Sequence, residues 1–65
     1  MKINLNGEKL ESQSGTLMAL VLEQGFDPGS LIAEVNFEVI VQENWKDISI
    51  KEGDNIELLS FVGGG

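Results

Sequence analysis

Only one stretch of this chain reads as a helix able to bury a face, and that limits the fold more than any other feature. Residues 17–22, Leu-Met-Ala-Leu-Val-Leu, are the longest apolar run, at six residues. Leu17, Met18, Leu20, Val21 and Leu22 supply i, i+3 and i+4 neighbours on one wide apolar face. Thr16 stands where a side-chain oxygen can accept from a free backbone N–H at the start of a helix. Gly25 suits the left-handed position that ends helices, with Phe26 placed to pack back on Val21. Asp27-Pro28-Gly29 then blocks any continuation. These signals predict one short helix over 17–24. The run falls far short of the ~20 apolar residues that a membrane span requires.

The remaining apolar residues alternate, as half-buried strands do. Met1, Ile3 and Leu5 interleave with Lys2, Asn4 and Asn6, and Asn6-Gly7 tolerates the positive φ angles of a two-residue hairpin turn. A mostly polar return strand containing Leu10 follows over 8–12. Residues 31–35 form a third strand with Leu31, Ala33 and Val35 inside and Ile32 outside, because Glu34 faces water. Asn36-Phe37 makes a tight turn into a fourth strand over 38–41. Residues 42–51 are mixed, with Trp45, Ile48 and Ile50 as plugs under a long connection and 51–54 as a turn. Over 55–62, Ile56, Leu58, Ser60 and Val62 share one face, and Glu57, Leu59 and Phe61 share the other. The order is β-β-α-β-β-β, an α+β fold with one helix across a mixed sheet of four or five strands. Leu5, Leu20, Val21, Val35, Ile56 and Leu58 are expected inside. Leu59, Phe61 and Ile32 are then left together on the open face as a candidate partner surface, since exposed apolar clusters on small domains mark interfaces. Residues 1–62 read as one domain and 63–65 as a glycine tail, mobile when free.

Composition removes most chemistry. The chain has 65 residues, eleven acidic against four basic, a net charge of −7, and neither histidine, cysteine nor tyrosine. No thiol can act as nucleophile or redox centre, and no imidazole can move a proton or bind zinc. Four scattered lysines on a polyanion match neither nucleic acid nor an anionic membrane. An apolar content of 42% is enough for a core and too high for a disordered acidic tail. Without disulfides, a domain of this size depends on packing. Met1-Lys2-Ile3 leads into alternation and not into a signal-peptide apolar block, so a cytoplasmic protein, monomeric when free, is expected. The carboxylates show no metal-ligand spacing: Glu52-Gly53-Asp54 lacks the donor run of a calcium loop, and Glu8 and Glu11 sit on an exposed hairpin. They read as a solvated acidic surface. Ser12, Ser14 and Thr16 have no base to activate them, and Trp45 reads as core.

Gly63-Gly64-Gly65 stands apart. It follows a strand without a spacer, and a chain ending there presents an unhindered carboxylate on a backbone that can enter a slot too narrow for side chains. Three residues reach at most ~10 Å, enough to deliver that carboxylate into another protein's active site.

The element order, Gly53-Asp54 before the last strand, and the closing glycines together resemble the β-grasp (ubiquitin-like) sulfur carriers, most closely the ThiS family of thiamine-pathway carriers. The resemblance covers the whole chain, with Asn36-x-Glu38-x-Ile40, Trp45 and Gly53-Asp54 as its best local matches. It departs at Phe37, Val41 and Gln42, where the family often has Gly, Pro and Arg. The resemblance implies a carrier and not an enzyme. Its Gly65 carboxylate is adenylated by an activating enzyme using ATP and Mg²⁺, and a cysteine-derived persulfide donor then supplies sulfur. The resulting thiocarboxylate serves a thiazole synthase, with Gly63 and Gly64 giving access and no cofactor on the carrier itself. A carrier of another pathway (molybdopterin synthase small-subunit type, or cysteine or tungsten-cofactor synthesis) and a ubiquitin-like binding module are the alternative readings.

Overall fold

The computed structural model describes residues 1–61. Val62 and the glycines at 63, 64 and 65 lie outside the described residues, and with them the expected domain end and tail. Strand β1, Lys2–Leu5, turns at Asn6 (φ 52°) and Gly7 (φ 84°) into β2, Glu8–Glu11. Both positive φ angles are what the two-residue turn requires, and they set the register Leu5 against Glu8.

Helix α1 spans Leu17–Glu23, one residue shorter than predicted, with Gln24 as its cap. The Thr16 hydroxyl accepts from the Ala19 N–H at 3.1 Å. At the other end Gly25, at φ 82°, donates to the Leu22 carbonyl at 3.0 Å, and the Phe26 N–H reaches the Val21 carbonyl at 3.2 Å. That reciprocal pair closes the helix and turns half-buried Phe26 onto the core. Pro28–Ser30 is more than a stop. It forms a 3₁₀ turn, because the Asp27 carboxylate accepts from the Gly29 N–H and proline presets the first φ.

Three strands follow: β3, Leu31–Val35; β4, Glu38–Ile40; and β5, Asn55–Ser60. The five-stranded sheet runs β2-β1-β5-β3-β4, with β1 and β5 parallel and the other pairs antiparallel. This is the mixed sheet with one helix that the alternation predicted, and β5 is its central strand.

A seven-residue helix is only ~10 Å long, while five strands span about 19 Å. A second cover is therefore required. The 3₁₀ helix Gln42–Asp47 provides it through Trp45, 1% exposed, whose Nε1–H donates to the Ile40 carbonyl at 2.8 Å. Trp45 and Ile50 are buried plugs, as read from the sequence, and Ile48 is half-buried. The connection is pinned beside the helix start: the Leu17 N–H donates to the Ile48 carbonyl and the Ile50 N–H to the Gly15 carbonyl. Its 3₁₀ form was not foreseen, since one buried residue in six shows no period.

Leu20, Val21, Ile56 and Leu58 are buried as expected, joined by Ile3, Leu17, Leu31 and Ala33. Leu5 and Val35 are only half-buried. Both lie in register with Ile56, one on each side, and each is the last residue of its strand beside a hairpin turn. The short cover encloses the middle of that row and leaves its flanks partly open. Among the described residues no helix is long and apolar enough to cross a membrane.

Candidate functional site

Helix α1 and Trp45 occupy one face of the sheet, so strand parity leaves the other bare. On it, Ile32 of β3 lies directly opposite Leu59 of β5. The ladder continues past the end of β5, where the Phe61 N–H donates to the Ser30 carbonyl at 3.0 Å. Ile32, Leu59 and Phe61 are 41%, 50% and 57% exposed, so the structure brings the three expected residues together on one open face. Val39 of β4 and Val41 just after it, also exposed, extend the apolar band. Sequence reasoning left them out. A two-residue turn at Asn36-Phe37 forces Glu34 opposite Val39, which puts Val39 on the same face as Ile32, so the signal was present.

Charge divides this face. Glu34 and Glu57 stand directly opposite one another, an arrangement with no internal advantage, since like charges across a ladder repel. On the far side Lys2, Asn4 and Lys9, with Ile3, Glu52 and Gly53, line a depression of about 240 Å³. On the same hairpin the Met1 ammonium donates to Glu11 Oε2 at 2.6 Å, and this bond, with the positive charge behind it, holds the Glu11 carboxyl below the usual carboxylate range.

The central strand is gripped from both sides by asparagines in left-handed turns. Asn6 Oδ1 accepts from the Leu58 N–H at 2.9 Å while its Nδ2 donates to the Leu58 carbonyl at 3.3 Å. Asn36 Oδ1 accepts from the Asn55 N–H, and its Nδ2 donates to Asp54 Oδ1. The amide groups act as extra rungs of the ladder. They hold the strand whose continuation, two residues past Phe61, is Gly63-Gly64-Gly65.

Ser12 and Ser14 are buried, and both hydroxyls donate to Glu23 Oε1, at 3.0 and 3.1 Å. They tie the loop before α1 to its last turn. Among the described residues no group of three or more acidic side chains is placed to hold a metal ion.

Comparison with known proteins agrees with this geometry. The ThiS family model matches residues 2–65. The sulfur carrier protein ThiS of Bacillus subtilis is 32% identical over 65 residues, covering 97% of this chain and 98% of that protein. The thiazole synthase of Paramagnetospirillum magneticum is 35% identical over 66 residues, and the chain spans only 20% of that longer protein. The crystal structure of thiamine biosynthesis protein ThiS from Geobacter metallireducens superposes with a TM-score of 0.84 at 26% identity, covering all of both chains. A β-grasp sheet with one helix, matched from end to end by sequence and by structure, places this chain in the ThiS family.

Proposed function

We propose that the chain is a sulfur carrier of thiamine biosynthesis, a co-substrate and not a catalyst, with Gly65 as its reactive end. The observation that carries this reading is the position of β5. A central strand held on both edges runs past an exposed apolar band toward three glycines. Full-length similarity to the Bacillus carrier supports it.

In this mechanism an oxygen of the Gly65 carboxylate attacks the α-phosphate of ATP in an activating enzyme, where Mg²⁺ offsets phosphate charge. Pyrophosphate leaves and an acyl adenylate forms. The terminal sulfur of a persulfide donor attacks the acyl carbon and AMP leaves. A thiolate then attacks the donor-side sulfur of the resulting acyl disulfide, forming a disulfide with the donor and releasing the thiocarboxylate, a strong nucleophile, for a thiazole synthase. Similarity to part of a longer thiazole synthase chain supports that acceptor. A carrier without cysteine has no thiol to compete for its own activated carbonyl. Glycine at 63 and 64 keeps the approach free of side chains.

The test is intact-mass measurement after incubation with activating enzyme, ATP and a persulfide source. The expected change is one oxygen exchanged for one sulfur, confined to the last residue. Gly64→Val should leave the fold unchanged and block adenylation, and adding a residue after Gly65 should block it by displacing the carboxylate. If the mass stays constant with competent enzymes, the carrier reading fails and a ubiquitin-like binding module replaces it. A thiocarboxylate that a thiazole synthase cannot use would assign the carrier to another pathway.

A further inference from the structure

Phe37 is the residue that the fold explains least. It sits at the tip of the β3–β4 hairpin with φ 73°, in the left-handed region that bulky side chains rarely adopt. It is also 81% exposed, more than any other large apolar residue described. The turn does not need its ring. Asn36, at φ 51°, supplies the contacts that hold the tip, through Asn55 and Asp54. An aromatic ring that is conformationally unfavourable and turned to water is a sign of function and not of packing.

Its position defines what it can touch. The Asn36 N–H donates to the Asn55 carbonyl at the start of β5, while Phe61 lies beyond the end of the same strand. The two rings are therefore separated along β5 by six residues, roughly 20 Å at about 3.3 Å per residue. Between them lie the Ile32–Leu59 pair and the acidic row of Glu34 and Glu57. A standard interface buries about 800 Å² on each partner, close to a fifth of this chain's 4161 Å². A patch of that size, about 30 Å across, reaches from Phe61 to Phe37.

We infer that Phe37 is the far anchor of the interface that presents the chain's end to its activating enzyme. It would enter an apolar pocket rimmed by lysine or arginine, the complement of the facing pair Glu34 and Glu57 on the same sheet and of Asp54, which holds Asn36 beside it. This rests on the carrier reading and adds a contact remote from the chemistry. With the end already seated in the bound complex, the Phe37 contact is the same in the ground and transition states, so its loss raises KM and leaves kcat unchanged.

The test compares wild type with Phe37→Gly in ATP-dependent pyrophosphate release by the activating enzyme, with carrier concentration varied. Glycine accepts φ 73° more readily than phenylalanine, so the variant keeps its fold. The expected result is a KM about tenfold higher, an unchanged kcat, and a melting temperature equal to or above that of wild type. Phe37→Tyr keeps the ring and should restore most of the affinity. An unchanged KM in a folded Phe37→Gly protein overturns the inference, as does a KM effect accompanied by loss of the fold. If wild type itself is not adenylated, the carrier reading has failed, and that outcome is distinct from failure of the anchor.

Discussion

The grip of Asn6 on Leu58 separates two roles that sequence reading merges, and substitution can separate them again. Asn6 adopts φ 52° and also gives both polar atoms of its amide to the main chain of β5. Glycine accepts that φ but has no amide. Asn6→Gly therefore removes two hydrogen bonds from a part-buried site, each worth about 0.5–1.5 kcal/mol net, for a loss of about 1–3 kcal/mol. Alanine loses the same bonds and adds about 1 kcal/mol or more for a left-handed Cβ. In a domain of this size 1 kcal/mol moves Tm by roughly 4–8 °C, so calorimetry should rank wild type above Asn6→Gly above Asn6→Ala. Asn6→Asp keeps an acceptor for the Leu58 N–H but sets a carboxylate oxygen against the Leu58 carbonyl. The protonated acid can donate there and the anion cannot, so its folded-state pKa is raised above its unfolded value. Its deficit should be small below the ordinary carboxylate range and grow as pH rises through the folded pKa. Hydrogen exchange at the Leu58 amide reads the clamp directly. A glycine variant as stable as wild type, with Leu58 exchanging no faster, would refute the claim that the side chain is a rung of the ladder.

Other consequences are simpler. Leu58→Ala, at a buried position on the central strand, should lose about 2–5 kcal/mol; a chain of this length has about 3–10 kcal/mol in total, so urea titration should show a large fall in midpoint. Trp45→Phe leaves the Ile40 carbonyl without its Nε1–H donor and should lower stability by about 1–3 kcal/mol, read by thermal melting. Because the Glu11 carboxyl is held below its ordinary range, its pairing with the Met1 ammonium stabilises above that range and is lost as pH falls through the lowered value. Glu11→Gln should flatten that part of the stability–pH curve, and salt should shrink the difference.

Much of the fold was legible because it rests on local rules. The Asn6-Gly7 turn, the Thr16 cap and the Gly25-Phe26 closure each follow from residues within a few positions of one another, and the structure reproduces all three. Parity along 31–35 and 55–62 placed Ile32, Leu59 and Phe61 on the open face for the same reason. What escaped depends on distant partners. No local pattern shows that Asn6 and Asn36 grip the last strand, because their acceptors and donors lie up to 52 residues away. The 3₁₀ segment around Trp45 exists because the helix is too short to cover the sheet, which becomes apparent only once both are assembled. Glu23 shows the same limit. It reads as a solvent-facing helix acid, yet it receives the hydroxyls of Ser12 and Ser14 from a loop that its own strand pair delivers.

On the carrier reading proposed above, following the central strand with the reacting residues would have a thermodynamic consequence for the enzyme that binds them. Ordering one backbone residue costs roughly 1–2 kcal/mol, and glycine lies at the upper end because it has the most freedom to lose. Had residues 55–61 formed an edge strand, they would be drawn from the least stable part of the fold, where local opening occurs at little free energy. A partner would then have to order several residues of frayed strand before the contact could form. Here β5 is paired along both edges, Asn6 and Asn36 add side-chain rungs, and the ladder still holds at Phe61 through the Ser30 carbonyl. Up to that bond the backbone of β5 has hydrogen-bond partners within the fold itself. On that same reading, the binding free energy proposed for the apolar band and the hairpin tip would go to seating the residues that follow Phe61. Three residues of strand frayed by mutation would add about 3–6 kcal/mol to that step, a 10²–10⁴-fold loss of affinity without any change at the contact surface.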